Sequence, residues 1–402
     1  MTDMRRSPLV RTGAVAFAAA LAGGGMVLGI DRIGGDGGSA TAAAPAASTP
    51  AASTLPAAST ASTARQIYAE REAGIVVITA TIGGGSDPYS PGGLGGGSQT
   101  AQGSGVVVDT RGDILTNEHV VSGATSVRVS FANGRTATAK VVGQDPSSDL
   151  AVVRVSVPAG TLHPVPLGSS SSLRVGDWVM AIGNPFGYDR SASEGIVSGL
   201  NRRIESPNGF TITGAIQTDA AVNHGNSGGA LLDAQGRLVG IPAQIADSGV
   251  DANVGVAFAV PIDTAKQELA KLTAGDQVAH AWLGVATLDA SAQTASNGGS
   301  GTSSGALVTG VVSGSPAARA GIKAGSRQAT IDGAPACVGG DTITAVDGTP
   351  IADGGALQTA IAARSSGDHV TLTVVHADGS RADVPVTLGD QPASAPDATP
   401  GC

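Results

Sequence analysis

The sequence predicts a mainly β chain, a barrel or sandwich followed by a smaller unit that adds a short helix to its strands. Three observations carry this. Of 402 residues, 60 are glycine while aromatics make up only 2%, a composition of turn-rich structure built from small side chains. From Gly74 onward, short β-branched runs alternate with Gly, Asn, Asp and Ser turns. Convincing helical period first appears at Pro261 to Leu272, where Ile262, Ala265, Leu269 and Leu272 share one face.

Taken in order, residues 1–11 carry Arg5, Arg6 and Arg11. Residues 12–30 then form an uncharged Ala, Gly, Val and Leu run. That length approaches a bilayer span, and the upstream charge keeps the N-terminus cytoplasmic. Two readings stand: an uncleaved transmembrane anchor, or a signal peptide cut near Ala20-Leu21-Ala22. The run is longer than most signal segments, which favours the anchor. Either way the remainder lies outside the cytoplasm. Residues 31–63 are rich in Ala, Ser, Thr and Pro and cannot bury enough apolar surface to fold, so they read as a linker.

The first folded unit is expected over 64–272. Its strands include Ile75-Val76-Val77-Ile78, Val106-Val107-Val108, Val152-Val153-Arg154-Val155 and Trp178-Val179-Met180-Ala181-Ile182, with a glycine-rich loop from Tyr89 to Ser104. A second unit is expected over 280–390. It has strands at Ala306-Leu307-Val308-Thr309 and Val370 to Val375, and a helical stretch near Gly354 to Arg364. Residues 391–402 form a tail. The net charge of -9 argues against a nucleic-acid partner. No metal-ligand spacing occurs and no cofactor is called for. The two cysteines, Cys337 and Cys402, can form one disulfide in an oxidising compartment, though spacing alone does not pair them.

Three motifs carry chemistry. Gly225-Asn226-Ser227-Gly228-Gly229 places a serine among glycines that let backbone N–H groups converge. A serine hydroxyl needs a base, and the oxyanion it creates needs donors; Gly225 and Ser227 N–H are the candidates. Ile114 to Val121 puts His119 directly after an apolar strand, and imidazole is the side chain suited to proton transfer near neutral pH. Asp145-Pro146-Ser147-Ser148-Asp149 leads into a further apolar strand, and a carboxylate there can fix the imidazole tautomer. Asp145 fits an ordinary turn aspartate better than Asp149 does. Alone, each motif is modest. Together, His119, Asp149 and Ser227 follow the chain order of a chymotrypsin-type triad.

With these residues in view, the chain from Ile67 to Leu272 resembles the HtrA (Deg) family of trypsin-like serine proteases. Gly103 to Asp109 leading to Thr116-Asn117-Glu118-His119-Val120 resembles its histidine block, and Ser148-Asp149-Leu150-Ala151-Val152 its aspartate block. Gln217 to Leu231 resembles its serine block, and Gly183-Asn184-Pro185-Phe186-Gly187 a loop at the start of its second half. The resemblance implies two six-stranded β-barrels with the site between them. It also implies endopeptidase activity on unfolded or misfolded proteins, and a possible homotrimer. A protease-fold chaperone or scaffold that cleaves little is the alternative.

Departures from the family pattern stand at His224, where proline is usual, and at Pro242 and Ala243, where Asn and Thr or Ser are usual. Ala243 would leave one hydrogen bond to Asp149 unmade. The strand of Ile241, Pro242, Ala243 and Ile245 is expected to pair with substrate. No acidic residue stands there, so a small or medium apolar side chain is expected before the cleaved bond. The second unit resembles a PDZ domain of α+β type. Gly305 to Ile322 and Gly340 to Ile351 match its middle, and Trp282-Leu283-Gly284-Val285 its loop for a peptide C-terminal carboxylate. Trp282 could instead be a core strand residue. Insertions at Ser291–Ser304 and Ser326–Gly339 are unusual for the family.

Overall fold

The strand runs read from the sequence close into two barrels of one topology in the computed structural model. The first barrel holds β1 (Ile75–Ile82), β2 (Gln99–Val107), β3 (Asp113–Thr116), β4 (Ala124–Ser130), β5 (Thr136–Asp145) and β6 (Leu150–Val155). The second holds β7 (Trp178–Gly183), β8 (Ser191–Glu205), β9 (Thr211–Thr218), β10 (Ala230–Asp233), β11 (Leu238–Ile245) and β12 (Ala257–Pro261). The first closes in the order β1-β2-β3-β6-β5-β4, and the second repeats it as β7-β8-β9-β12-β11-β10. A sheet closed on itself leaves no unpaired edge.

The structure describes residues 63–83, 99–184, 191–223, 225–245, 255–291, 294, 301–331, 333–396, 399–400 and 402. The apolar run 12–30, nearly all of the linker, most of the glycine-rich loop, Pro185 to Gly187, His224 and most of the insertion 291–304 lie outside them. From Ala58 to Cys402 the chain forms one compact unit. Among the described residues, no helix is long and apolar enough to cross a membrane.

Strand period explains why the runs are continuously apolar. Val76, Ile78 and Ala80 fill the first barrel, while Ile75 turns toward the second. Likewise Ile114, Ala151 and Val153 point inward, and Leu115, Leu150 and Val152 join Met180, Ile182 and Leu232 between the barrels. Alternate side chains face opposite ways, so a strand buried on both faces loses its polar positions. Each fully buried Val, Ile or Leu is worth roughly 1.5–3 kcal/mol.

Helix α1 (Ala64–Arg71) starts at a capping box, Thr63 Oγ1 accepting from Gln66 N and the Gln66 side chain accepting from Thr63 N. It buries Ile67. The short α2 (Glu118–Val121) follows β3. Helix α3 (Ile262–Ala274) buries Ile262, Ala265 and Leu272 as the period predicts, leaves Leu269 half-buried, buries Glu268 as well, and ends at Gly275 with φ 79°.

The remaining chain contains β13 (Ala281–Trp282), β14 (Val285–Asp289), β15 (Ala306–Val311) and α4 (Pro316–Arg319). Then come β16 (Arg327–Ile331), β17 (Ala334–Val338), β18 (Thr342–Val346) and β19 (Thr349–Pro350). Last are α5 (Gly354–Ala362), β20 (His369–Val375), β21 (Arg381–Thr387), β22 (Gly389–Asp390) and β23 (Thr399–Pro400). The main sheet runs β14-β15-β18-β20-β21, with β19 on β18 and β23 on β15. Trp282 lies in β13, paired with Gly389 of β22, and is half-buried. The second insertion is the β16–β17 hairpin. Its Cys337 is bonded to Cys402, so the tail is tied to this hairpin as well as to β15, which β23 pairs.

Candidate active site

The cleft between the barrels gathers the three chemistry-bearing motifs. Asp149 sits between β5 and β6 at φ 55°. This left-handed conformation costs a non-glycine residue about 1–3 kcal/mol and needs support from its surroundings. The support comes from α2 and the residue before it. The Asp149 carbonyl accepts from Asn117 Nδ2 at 2.8 Å and from Glu118 N at 3.2 Å. The carboxylate accepts from His119 N at 3.1 Å, and His119 Nδ1 lies 2.9 Å from Asp149 Oδ2. The Asp149 side chain is 2% exposed and that of His119 36%. The carboxylate is thus sealed while the far edge of the imidazole reaches the cleft.

Burial alone would lower the His119 pKa. The Asp149 hydrogen bond and charge, helped by Glu118, outweigh it and raise the value above 6.5. Glu118 is itself buried, and that desolvation, with the charges of Asp149 and Asp145, pushes its carboxyl up.

Ser227 arrives from the second barrel, in the turn before β10. Gly228 follows at φ 80°, and a Cβ there would run into Thr116 Oγ1 and the Ser104 carbonyl of the first barrel. Only glycine lets the serine turn come this close to the end of β3. Ser104 is the joint. Its N–H donates to Ser227 O at 2.8 Å, its Oγ donates to Gly225 O at 2.6 Å, and Asn184 N donates to that Oγ at 2.9 Å. Among the described residues, neither the Gly225 nor the Ser227 N–H is spent on a partner. The Ser227 hydroxyl makes a long contact, 3.4 Å, to the Ala243 carbonyl.

On β11, Ile241 is wholly buried and its side chain belongs to the core. Pro242 has no N–H to offer, and its carbonyl accepts from Gly228 N at 3.0 Å. Ala243 offers Asp149 no hydroxyl, and among the described residues the carboxylate's partners are the backbone N and ring Nδ1 of His119. Ile245 closes the strand opposite Ala257. The sequence reading missed Ser104 as the clamp and Asn117 as the support for Asp149, although both stand in the quoted histidine block.

In the second unit, Gly284 has φ 83°, and its carbonyl and that of Leu283 accept from Val312 N and Ala317 N. Leu283 is buried, while Val285 opens β14. A cavity of about 930 Å3 runs from this loop along β14 and α5, with Leu357 and Ile361 on one wall and Arg203 and Phe210 of the barrel unit on the other.

The trypsin-like peptidase domain family matches residues 103–241, and the PDZ domain family matches residues 282–388. The solved structure of the HtrA-type protease AlgW with a decapeptide superposes at TM-score 0.64 and 30% identity, covering 81% of this chain and 98% of that one. The chain belongs to the HtrA family of serine proteases. Among curated HtrA relatives, the serine protease HhoA of Synechocystis sp. is 42% identical over 253 residues, 58% of this chain and 61% of its own. The periplasmic serine endoprotease DegP of Escherichia coli is 40% identical over 259 residues, 62% of this chain and 53% of its own. The chain thus spans less than two thirds of the length of these relatives.

Proposed function

We propose that the chain is an extracytoplasmic serine endopeptidase that hydrolyses unfolded or misfolded proteins through an acyl-enzyme. The observation that carries this is the sealed Asp149 carboxylate held 2.9 Å from His119 Nδ1, with the His119 side chain 36% exposed. In the first step the Ser227 hydroxyl leaves the Ala243 carbonyl and turns to His119 Nε2, which takes its proton. Ser227 Oγ then bonds to the substrate carbonyl carbon. The resulting oxyanion is met by the Gly225 and Ser227 N–H groups. Asp149 stabilises the imidazolium without itself taking the proton. His119 returns that proton to the leaving amine as the peptide bond breaks. Water repeats the sequence on the ester and frees Ser227.

The substrate strand lies along Ala243 to Ile245, with a small or medium apolar residue before the cleaved bond. The groove beside Trp282, Leu283, Gly284 and Val285 takes a peptide C-terminus by strand addition to β14; the AlgW structure holds a decapeptide. The apolar run 12–30 and the periplasmic relative support the location. In the same reading 12–30 anchors the chain and three copies associate, which N-terminal sequencing and sizing of mature protein test. The activity is tested by incubating an unfolded protein with the chain from Ile67 onward and with its Ser227→Ala variant. Digestion by the parent alone is expected. Binding by both with no digestion would favour a chaperone or scaffold and overturn the reading.

A further inference from the structure

The loop that delivers Asp149 is gripped from behind. Asp145 Oδ1 accepts from Ser147 N at 3.1 Å, the local turn its sequence suggests. Its other oxygen accepts from Ser148 Oγ at 2.7 Å and lies 2.7 Å from His280 Nε2. His280 belongs to the segment joining α3 to β13, so the connector between the two units ends on this loop. The His280 carbonyl accepts from Gln391 N at 3.0 Å, and Gln391 Nε2 donates to Ser147 Oγ at 3.2 Å. Both ends of the PDZ domain therefore touch residues 145–148, and the next residue is Asp149.

Hydrogen counting adds a proton to this contact. Ser148 Oγ is 2.7 Å from Asp145 Oδ2 and also 2.7 Å from Glu268 Oε2 on α3. One hydroxyl hydrogen serves one of the two carboxyls. The other short contact needs a hydrogen donated into the serine oxygen, so one carboxyl is protonated. Ser148, Asp145 and Glu268 are all buried, which makes an unmet contact expensive.

We propose that His280 and Glu268 are positioning residues for the Asp149 carboxylate, forming with Asp145 and Ser148 a proton-holding latch on the loop that delivers it. This rests on the triad reading above. The groups facing the latch are Glu268 and Lys271 from α3, Asp145 and Asp149 from the loop, and Glu118 from α2. Burial, then the charge of Asp145, pushes the Glu268 carboxyl up to about 8. Burial would lower the His280 value, but Asp145 and Glu268 raise it above 6.5 against the charge of Lys271. Burial would raise Asp145, and the His280, Ser148 and Ser147 hydrogen bonds bring it below 3.8. At neutral pH the cluster thus sets a neutral Glu268 against an anionic Asp145, with the Asp145 and Glu268 contacts favouring the protonated form of His280. Both raised values act in one direction: the latch is complete at lower pH and loses its protons as pH rises through them. Above about pH 8 two facing carboxylates remain.

The test is the rate of covalent modification of Ser227 by an organophosphonate between pH 6 and 10, on the folded full-length chain. EDTA is included, because donor atoms of Asp145, Glu268 and His280 lie within 4.8 Å of one another and a stray divalent cation would replace the protons. The parent is expected to gain rate as His119 deprotonates and to lose it above about pH 8. Glu268→Gln, always neutral and still able to donate to Ser148, extends the plateau upward by about one pH unit or more. His280→Ala lowers the plateau about tenfold or more, and His280→Gln restores most of it. A residue serving only the fold would shift the melting temperature and leave the profile in place. A Glu268→Gln profile superimposed on the parent's, or His280→Ala modified at the parent's rate, overturns the latch. Labelling that persists in Ser227→Ala would overturn the triad instead.

Discussion

Ser104→Ala removes one oxygen from the joint between the barrels. The Gly225 carbonyl loses a donor at 2.6 Å and Asn184 N–H loses an acceptor at 2.9 Å. Leaving a buried polar group unmet costs about 1–3 kcal/mol. The Ser104 N–H to Ser227 carbonyl bond survives, as does the bond from Thr116 Oγ1 to the Ser104 carbonyl, so β2 and β3 keep their places. The loss falls on the turn that aims the Gly225 and Ser227 N–H groups. At about 1.4 kcal/mol per tenfold, kcat/KM should fall roughly ten- to hundredfold while the melting temperature moves by a few degrees. Peptide hydrolysis and organophosphonate labelling, run beside thermal melts, measure both. Labelling at the parent's rate by a folded Ser104→Ala protein would refute the reasoning that this hydroxyl holds the oxyanion donors.

Three further outcomes follow from the same geometry. Gly228→Ala puts a Cβ against Thr116 Oγ1 and the Ser104 carbonyl at φ 80°, so labelling should be lost while far-ultraviolet circular dichroism stays that of a β protein. Because His119 must be neutral to take a proton and its pKa is raised by Asp149 against burial, activity should climb with pH through a midpoint above 6.5. A midpoint below 6.5 would contradict the Asp149 contact. Cys402→Ser opens a bridge between residues 65 apart in sequence. Loop-closure entropy for that span is about 4 kcal/mol, which denaturant melts of oxidised parent and variant would resolve.

Much of this arrangement is legible in residue order because strand period and turn chemistry are local. The runs at Ile75–Ile78 and Val152–Val155 read as strands, and the helix at Pro261–Leu272 shows its face, since each depends on neighbours within a few positions. His119, Asp149 and Ser227 announce themselves through flanking motifs. What sequence hides is contact at long range. Asp145 looks like a turn residue and is one, yet its second oxygen meets His280, 135 positions away. Glu268 sits among helix-surface residues in sequence but is buried against Ser148, 120 positions earlier. Ser104 is one serine among many until the fold brings Gly225 to it. The disulfide falls between these cases, because two cysteines permit one bond but only the path of β23 along β15 brings them together.

The central claim is that Ser227 is nucleophilic because a buried carboxylate fixes the base beside it. The direct measurement is mass-spectrometric mapping and timing of organophosphonate addition in the parent and in Asp149→Asn. The adduct should map to Ser227 and form about 1,000- to 10,000-fold more slowly in the variant, whose amide holds the wrong imidazole tautomer. Equal rates in the two proteins, or an adduct on another residue, would contradict the account.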